Sequence, residues 1–281
     1  EVADQLQSGR VFLIGDAAHE MPPYGGYGGN TGIHDAHNLA WKLAAVLDGD
    51  AGDGLLASYD SERRPVAAFT VEQAYARYVT RAAPFLAAGG MDTPVPDANI
   101  DLGYRYRSNA VASEPEDDGA IQGDPREAHG RPGSRAPHYL LTRDGETVST
   151  LDLFKRNFVL FSGADGAAWT GAADAAAREL GIDLETHSID SGEFSDPEGG
   201  FTDSYGITST GAVLVRPDGF VAWRAESDEG ASAGRLTTAL AQAAGHISIM
   251  MASATRRPHP TMFPPVNGIP PRWITPRPWL P

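Results

Sequence analysis

A loop of small residues, set between a short apolar run and a long amphipathic segment, constrains the fold of this chain more than any other feature. Residues 9–14 (GRVFLI) are apolar and partly β-branched, which predicts a buried strand, and Gly15 would end it with a tight turn. From residue 31 apolar side chains recur at spacings of three and four, which predicts a helix that stops near residues 48–49. Strand, glycine-rich loop and helix in this order are typical of an α/β fold.

The loop also places one carboxylate among the glycines. It contains GDAAH at residues 15–19, PP at 22–23 and GGYGGN at 25–30. Glycines let backbone amides approach a flat ligand closely, a carboxylate accepts hydrogen bonds from ribose-type hydroxyls, and a helix amino terminus attracts an electron-rich atom. A single glycine-rich turn often does no more than redirect the chain, so the hypothesis of a ligand site depends on the whole string.

The second half of the chain alternates strands and helices. The predicted strands are 158–162, 184–189, 212–216 and 221–224, and the predicted helices are 166–180 and 230–244. The turn Pro217-Asp218-Gly219 indicates a hairpin between the last two strands. This order is that of a thioredoxin-like fold with a mixed sheet, and a domain without cysteine cannot carry out thiol chemistry.

Length and composition set the domain count and exclude several classes of function. The 281 residues suffice for two domains, and a net charge of −15 makes nucleic acid a poor partner. No apolar run approaches the ~20 residues of a membrane span, no signal peptide is apparent, and the chain has no cysteine. We therefore expect a soluble, cytoplasmic protein.

Several longer segments resemble one family of enzymes. The GDAAH to GGN string, DAHNLAWKL and YDSERRP resemble the second FAD motif of the class A flavoprotein monooxygenases, the para-hydroxybenzoate hydroxylase-like family. LGYRYRS, RPGSRAPH and LVRPDG are similar to the polyketide hydroxylases of that family, at residues 102–108, 131–138 and 214–219. The resemblance covers nearly everything before residue 246.

This resemblance implies an α/β fold in which the C-terminal part of a GR2-type FAD-binding domain precedes a thioredoxin-like α/β domain. The expected boundaries are 1–82 for the FAD-binding part, 83–137 for a linker, 138–245 for the thioredoxin-like domain and 246–281 for a Pro-rich tail. Within the first part, a second helix is expected at 54–80, and Pro65 should kink or restart it. We expect the tail to dock through Phe263, Trp273 or Trp279. Relatives also carry a GxGxxG loop and a substrate domain, so this chain is expected to be a fragment that is inactive alone.

The resemblance also implies the chemistry. FAD would be the cofactor and NAD(P)H the co-substrate, and an aromatic polyketide or related phenol would be hydroxylated with dioxygen through a flavin C4a-hydroperoxide. Asp16 would bind the ribityl or pyrophosphate region, the loop would line the isoalloxazine ring, and helix amides would meet its N1–C2=O edge. The implied cofactor-binding residues are Asp16, Pro23, Gly25, Gly28, Gly29 and Asn30.

Two other functions remain open at this point. The same scaffold supports Baeyer-Villiger or epoxidising oxygenation, and the chain could instead be a non-catalytic binding or assembly module. A homodimer is compatible with the sequence.

Other conspicuous residues have plainer interpretations, and no catalytic residue or metal ligand is assigned. His19 is expected to be hydrogen-bonded to backbone, and His34 and His37 to lie on a solvated helix face. Four arginines are expected to pair with acidic loops or cap carbonyls, namely Arg105, Arg107, Arg131 and Arg135.

Overall fold

The computed structural model describes residues 1–86 and 92–246. The described residues all lie within one compact unit. The expected docking of the tail through Phe263, Trp273 or Trp279 therefore lies outside the described residues. The helices are α1 Tyr27–Asp48, α2 Gly54–Arg81, α3 Asp97–Asp101, α4 Ala167–Leu180, α5 Phe201–Tyr205 and α6 Ala233–Ala243, and the strands are β1 Gln7–Ser8, β2 Val11–Phe12, β3 Leu140–Arg143, β4 Glu146–Ser149, β5 Phe158–Ser162, β6 Leu184–Ser188, β7 Ala212–Val215 and β8 Val221–Ala225.

The chain opens with a small hairpin, so the prediction of one buried strand at 9–14 is wrong. Strand β1 pairs antiparallel with β2, and Gly9 turns the chain between them at a φ of +59°. Val11 is 63% exposed and Ile14 is 43% exposed. The run forms one short strand of a two-stranded hairpin rather than a strand inside a larger sheet, where both of its faces would be covered.

Two long helices follow the loop. α1 begins at Tyr27, four residues before the predicted start, because Gly26 adopts a left-handed conformation that turns the chain into the helix. α2 continues through Pro65 as one helix, so of the two effects predicted for this proline the restart is wrong, and the kink stays a prediction.

The second half contains a four-stranded sheet in the order β6-β5-β7-β8. β5 and β6 are parallel, whereas β5–β7 and β7–β8 are antiparallel. Every strand bound agrees with the prediction to within one residue, and the arrangement is the one expected for a thioredoxin-like domain. The β3–β4 hairpin and α5 were not predicted.

The two halves share a hydrophobic core. Leu55 at the start of α2 belongs to the same buried cluster as Phe158 and Trp169 of the sheet domain. The ring of Trp41 on α1 meets Phe158 edge-on, with centroids 6.0 Å apart. The helices that follow the loop are thus packed directly on the C-terminal sheet. Within the described residues, none of the helices combines the length and apolarity that crossing a bilayer needs.

Candidate functional site

The glycine-rich loop lies directly on the helix that follows it. Gly15 begins a 3-10 turn, Gly15–Ala17, at a φ of +56°. A Cβ added to Gly32 of α1 would lie 3.1 Å from the Cα of Gly15, so the absence of side chains permits this close approach. The loop is therefore held at a short distance from the first turns of α1.

Asp16 occupies the surface of this turn. It is exposed, and within the described residues its carboxylate has no hydrogen bond or ion pair. Its oxygens are consequently available to a ligand, as the sequence-based role requires, and that role stays a prediction.

The amino terminus of α1 is open. Gly25 and Gly26 both have φ values of +74°, no side chain caps the helix, and its first turn contains no acidic residue. The first amides of an α-helix have no partner within the helix. Gly28, Gly29 and Asn30 form this turn rather than a loop before it, which corrects the predicted helix start, and a Cβ on Gly29 would meet nothing within 4 Å.

Pro23 is exposed, whereas Tyr27 turns inward below the loop. The Tyr27 hydroxyl donates to Asp97 at 2.8 Å, and burial with this hydrogen bond raises the pKa of Tyr27 to about 12. A Cβ on Gly25 would lie 2.5 Å from the Tyr27 ring, so Gly25 must be glycine for the ring to sit there. The predicted residues thus lie in the 3-10 turn, in the loop that follows it and in the first turn of α1, and their role in cofactor binding stays a prediction: Asp16, Pro23, Gly25, Gly28, Gly29 and Asn30.

A buried carboxylate beneath the loop was not singled out from the sequence. Asp35 of α1 is fully buried. Its Oδ2 accepts a hydrogen bond from the Gly15 amide at 3.1 Å and lies 2.7 Å from His19 Nε2. Its Oδ1 accepts from Arg63 Nε at 2.8 Å. The expectation that His19 is hydrogen-bonded to backbone is therefore wrong, because its Nε2 binds the Asp35 side chain. Its Nδ1 has no partner in the described part of the chain.

The charges around Asp35 keep it ionised. Burial raises its pKa, but the hydrogen bond with His19 and the charge of Arg63 outweigh burial and hold the pKa below its ordinary value. The guanidinium of Arg63 also lies 5.4 Å from the Tyr104 ring centroid and donates to the Tyr106 hydroxyl at 3.2 Å.

A second buried network joins the same helices to the sheet domain. Glu62 of α2 accepts two hydrogen bonds from Arg216, at 2.6 and 2.9 Å, and one from Lys42 at 2.7 Å. Arg216 also contacts Asp218 at 2.5 Å. The charges of Arg216 and Lys42 outweigh burial and hold the pKa of Glu62 well below its usual range. These residues fix α1 and α2 on the C-terminal half.

Comparison with known proteins identifies both halves. Residues 1–74 match the family described as FAD binding domain, and residues 129–246 match the one described as aromatic-ring hydroxylase, C-terminal. The chain thus combines a segment of an FAD-binding domain with the C-terminal domain of the aromatic-ring hydroxylases. The fold class inferred from the sequence is confirmed.

Named relatives agree with this assignment. The chain is 53% identical over 227 residues to the 4-methyl-5-nitrocatechol 5-monooxygenase of Burkholderia sp, covering 79% of this chain and 41% of that protein. It is 47% identical over 243 residues to the tetracenomycin A2 monooxygenase-dioxygenase of Streptomyces glaucescens, covering 85% and 42%. A ternary complex of aklavinone-11 hydroxylase with FAD and aklavinone matches with a TM-score of 0.81 and 44% identity, covering 86% and 45%. The chain thus spans less than half the length of these relatives.

The two histidines of α1 have different surroundings. The Nδ1 atom of His34 lies 3.2 Å from the Tyr104 hydroxyl, and His37 is exposed. Burial, with the charges of Arg63 and Arg135, lowers the pKa of His34 to about 4. Among the described residues no three histidines or acids are grouped to hold a metal ion.

The four arginines divide into two pairs. Arg105 and Arg107 form ion pairs with acidic loop residues at 2.8 and 2.6 Å, as predicted. In the described chain Arg131 and Arg135 have neither an ion pair nor a side-chain hydrogen bond, which corrects the prediction for these two. Both line a cavity of about 420 Å³ that also contains acidic residues.

Proposed function

We propose that this chain provides part of the flavin site of an FAD-dependent monooxygenase that hydroxylates a phenolic aromatic compound with NAD(P)H and dioxygen. The observation that carries the proposal is the open amino terminus of α1 beside the unpartnered carboxylate of Asp16, in a segment that matches an FAD-binding domain. The three relatives described above bear names of enzymes that oxygenate aromatic compounds.

The donors and acceptors of the loop fit FAD. The hydroxyl groups of the ribityl chain can donate hydrogen bonds to a carboxylate such as Asp16, and the electron-rich edge of a flavin ring favours the amino terminus of a helix. A Cβ on Gly29 would meet nothing within 4 Å, so no neighbouring side chain blocks a ligand from approaching the helix at this residue. FAD, when bound, supplies hydride acceptance and dioxygen activation.

The residues of this chain would hold and orient the cofactor rather than carry out the oxygen chemistry. The amides of Gly28 and Gly29 would stabilise negative charge that grows at the ring edge on reduction, because the helix dipole favours an anion there. Asp35 and Arg63 would hold the loop from inside the protein.

Product analysis tests the activity. The intact protein is loaded with FAD and given NADPH or NADH, ¹⁸O₂ and a phenolic anthraquinone or a nitrocatechol as probe. The proposal predicts one labelled oxygen in the product for each reduced nicotinamide consumed, with NMR showing a new ring hydroxyl. An inserted ester oxygen would point to Baeyer-Villiger chemistry, and a protein that binds no FAD would contradict the proposal.

A further inference from the structure

On the side of α1, the GDAAH segment (residues 15–19) is held by the carboxylate of Asp35. Asp35 is fully buried and is bonded to the first residue of the GDAAH segment, to the last residue of that segment and to α2. Gly15 and His19 are thus both tied to one point on α1. Five residues of backbone between two such bonds have little freedom to move.

The chemistry of the three partners requires an ionised acid at this position. The Gly15 amide and Arg63 Nε can only donate, so Asp35 must accept from both. An ionised carboxylate has acceptor sites for all three groups, whereas an asparagine would turn an NH₂ group toward at least one of them. The hydrogen bonds are charge-assisted and therefore stronger than neutral ones.

The carboxylate also fixes the state of the His19 ring. Because Asp35 accepts, the neutral imidazole must carry its proton on Nε2, which leaves a lone pair on Nδ1. Nδ1 is buried and has no donor in the described part of the chain. It can accept a hydrogen bond from an ordered water or a ligand hydroxyl.

We propose that Asp35 is a positioning residue that sets the backbone of the GDAAH loop in its cofactor-binding conformation before FAD arrives, by holding Gly15 and the Nε2-protonated form of His19. The consequence for FAD affinity rests on the proposed function. The consequence for the loop itself does not.

Glu62 offers a matched control. It is also a fully buried carboxylate bonded to buried cations, and it lies one residue from Arg63 on α2, but it contacts neither Gly15 nor His19. Asp35→Asn and Glu62→Gln each replace a buried carboxylate by its amide. A purely structural role for Asp35 predicts that the two variants behave alike.

The first measurement uses FAD-free protein. Hydrogen exchange of residues 15–19 is compared in the wild type, Asp35→Asn and Glu62→Gln under conditions where each is folded. We expect exchange of this segment to accelerate at least about tenfold in Asp35→Asn and to change little in Glu62→Gln, since only the first loses a charge-assisted bond to the loop. Equal exchange in the two variants would overturn the proposal.

The second measurement needs no variant. In ¹⁵N-labelled wild type at pH 8, where an ordinary imidazole is neutral, the His19 nitrogens should report a protonated Nε2 and an unprotonated Nδ1. The opposite tautomer would overturn the proposal even if Asp35→Asn fails to fold.

The third measurement connects the loop to the cofactor. FAD titration should show roughly tenfold or greater weakening in Asp35→Asn and no more than twofold in Glu62→Gln. Unchanged FAD affinity in Asp35→Asn would overturn the positioning role. A wild-type protein that binds no FAD would contradict the proposed function, and the hydrogen-exchange measurement would then be the test of how Asp35 holds the loop.

Discussion

Gly29 provides the sharpest separation between folding and ligand binding. It lies in the first turn of α1 without a positive φ, and a Cβ added there would meet nothing within 4 Å. Gly29→Ala should therefore be accepted without a clash. Alanine is favoured over glycine in a helix by about 0.5–1 kcal/mol, and somewhat less in the first turn, so the FAD-free protein should gain about 0.5 kcal/mol and 1–2 °C in Tm.

FAD binding should change in the opposite direction. If the flavin ring approaches the α1 amides, the new methyl group occupies the space that the ring needs, and FAD affinity should fall about 10- to 100-fold, or about 1.4–2.7 kcal/mol. Flavin fluorescence titration gives the dissociation constant, and differential scanning fluorimetry without FAD gives the Tm.

The matched control is Gly171→Ala. Gly171 is an exposed glycine within α4, and a Cβ there also meets nothing within 4 Å. It should gain similar stability and keep its FAD affinity. The reasoning is refuted if Gly29→Ala binds FAD as tightly as Gly171→Ala does.

Two further predictions concern stability. Glu62→Gln removes the buried carboxylate that lies 2.6 Å from Arg216 and 2.7 Å from Lys42. It should lower the free energy of unfolding, measured by urea titration, by about 3–5 kcal/mol. A loss below about 1 kcal/mol would contradict this prediction. Burial and nearby arginines lower the pKa of His34 from 6.5 to about 4, so the unfolded state binds more protons between these values and stability should fall as the pH falls from 6.5 to 4. Solvent screening of the half-buried ring reduces this loss of stability to about 1–2 kcal/mol. His34→Gln should remove the loss, which Tm measured against pH would show. An identical pH slope in the wild type and the variant would contradict the assignment of this pH dependence to His34.

The regular elements of this fold could be predicted because their signals are local. Strand β5 and helix α4 follow from hydrophobic runs and spacings within a few residues, and the hairpin turn at Pro217-Asp218-Gly219 from residue preferences at a turn. The prediction for residues 9–14 is wrong because this apolar run forms one strand of a small two-stranded hairpin that leaves Val11 and Ile14 exposed.

The buried polar contacts could not be predicted in the same way. Glu62 and Arg216 are 154 residues apart, and no periodicity reports which distant charges meet inside a fold. Asp35 lies within the family motif DAHNLAWKL, but the sequence does not indicate that its side chain is buried, because a carboxylate on a helix is ordinarily solvated. Its role becomes visible only when Gly15, His19 and Arg63 are seen around it.

The most direct test of the flavin site is the FAD affinity of Asp16→Ala in the intact protein. Asp16 is exposed and without a partner in the described chain, so the substitution should leave the Tm of the FAD-free protein within about 1 °C of wild type. Loss of charge-assisted hydrogen bonds worth about 1.5–3 kcal/mol should weaken FAD binding about 10- to 150-fold. Asp174→Ala, which removes an exposed acid on α4, should leave binding unchanged. Equal FAD dissociation constants for Asp16→Ala, Asp174→Ala and wild type would contradict the placement of FAD on this loop.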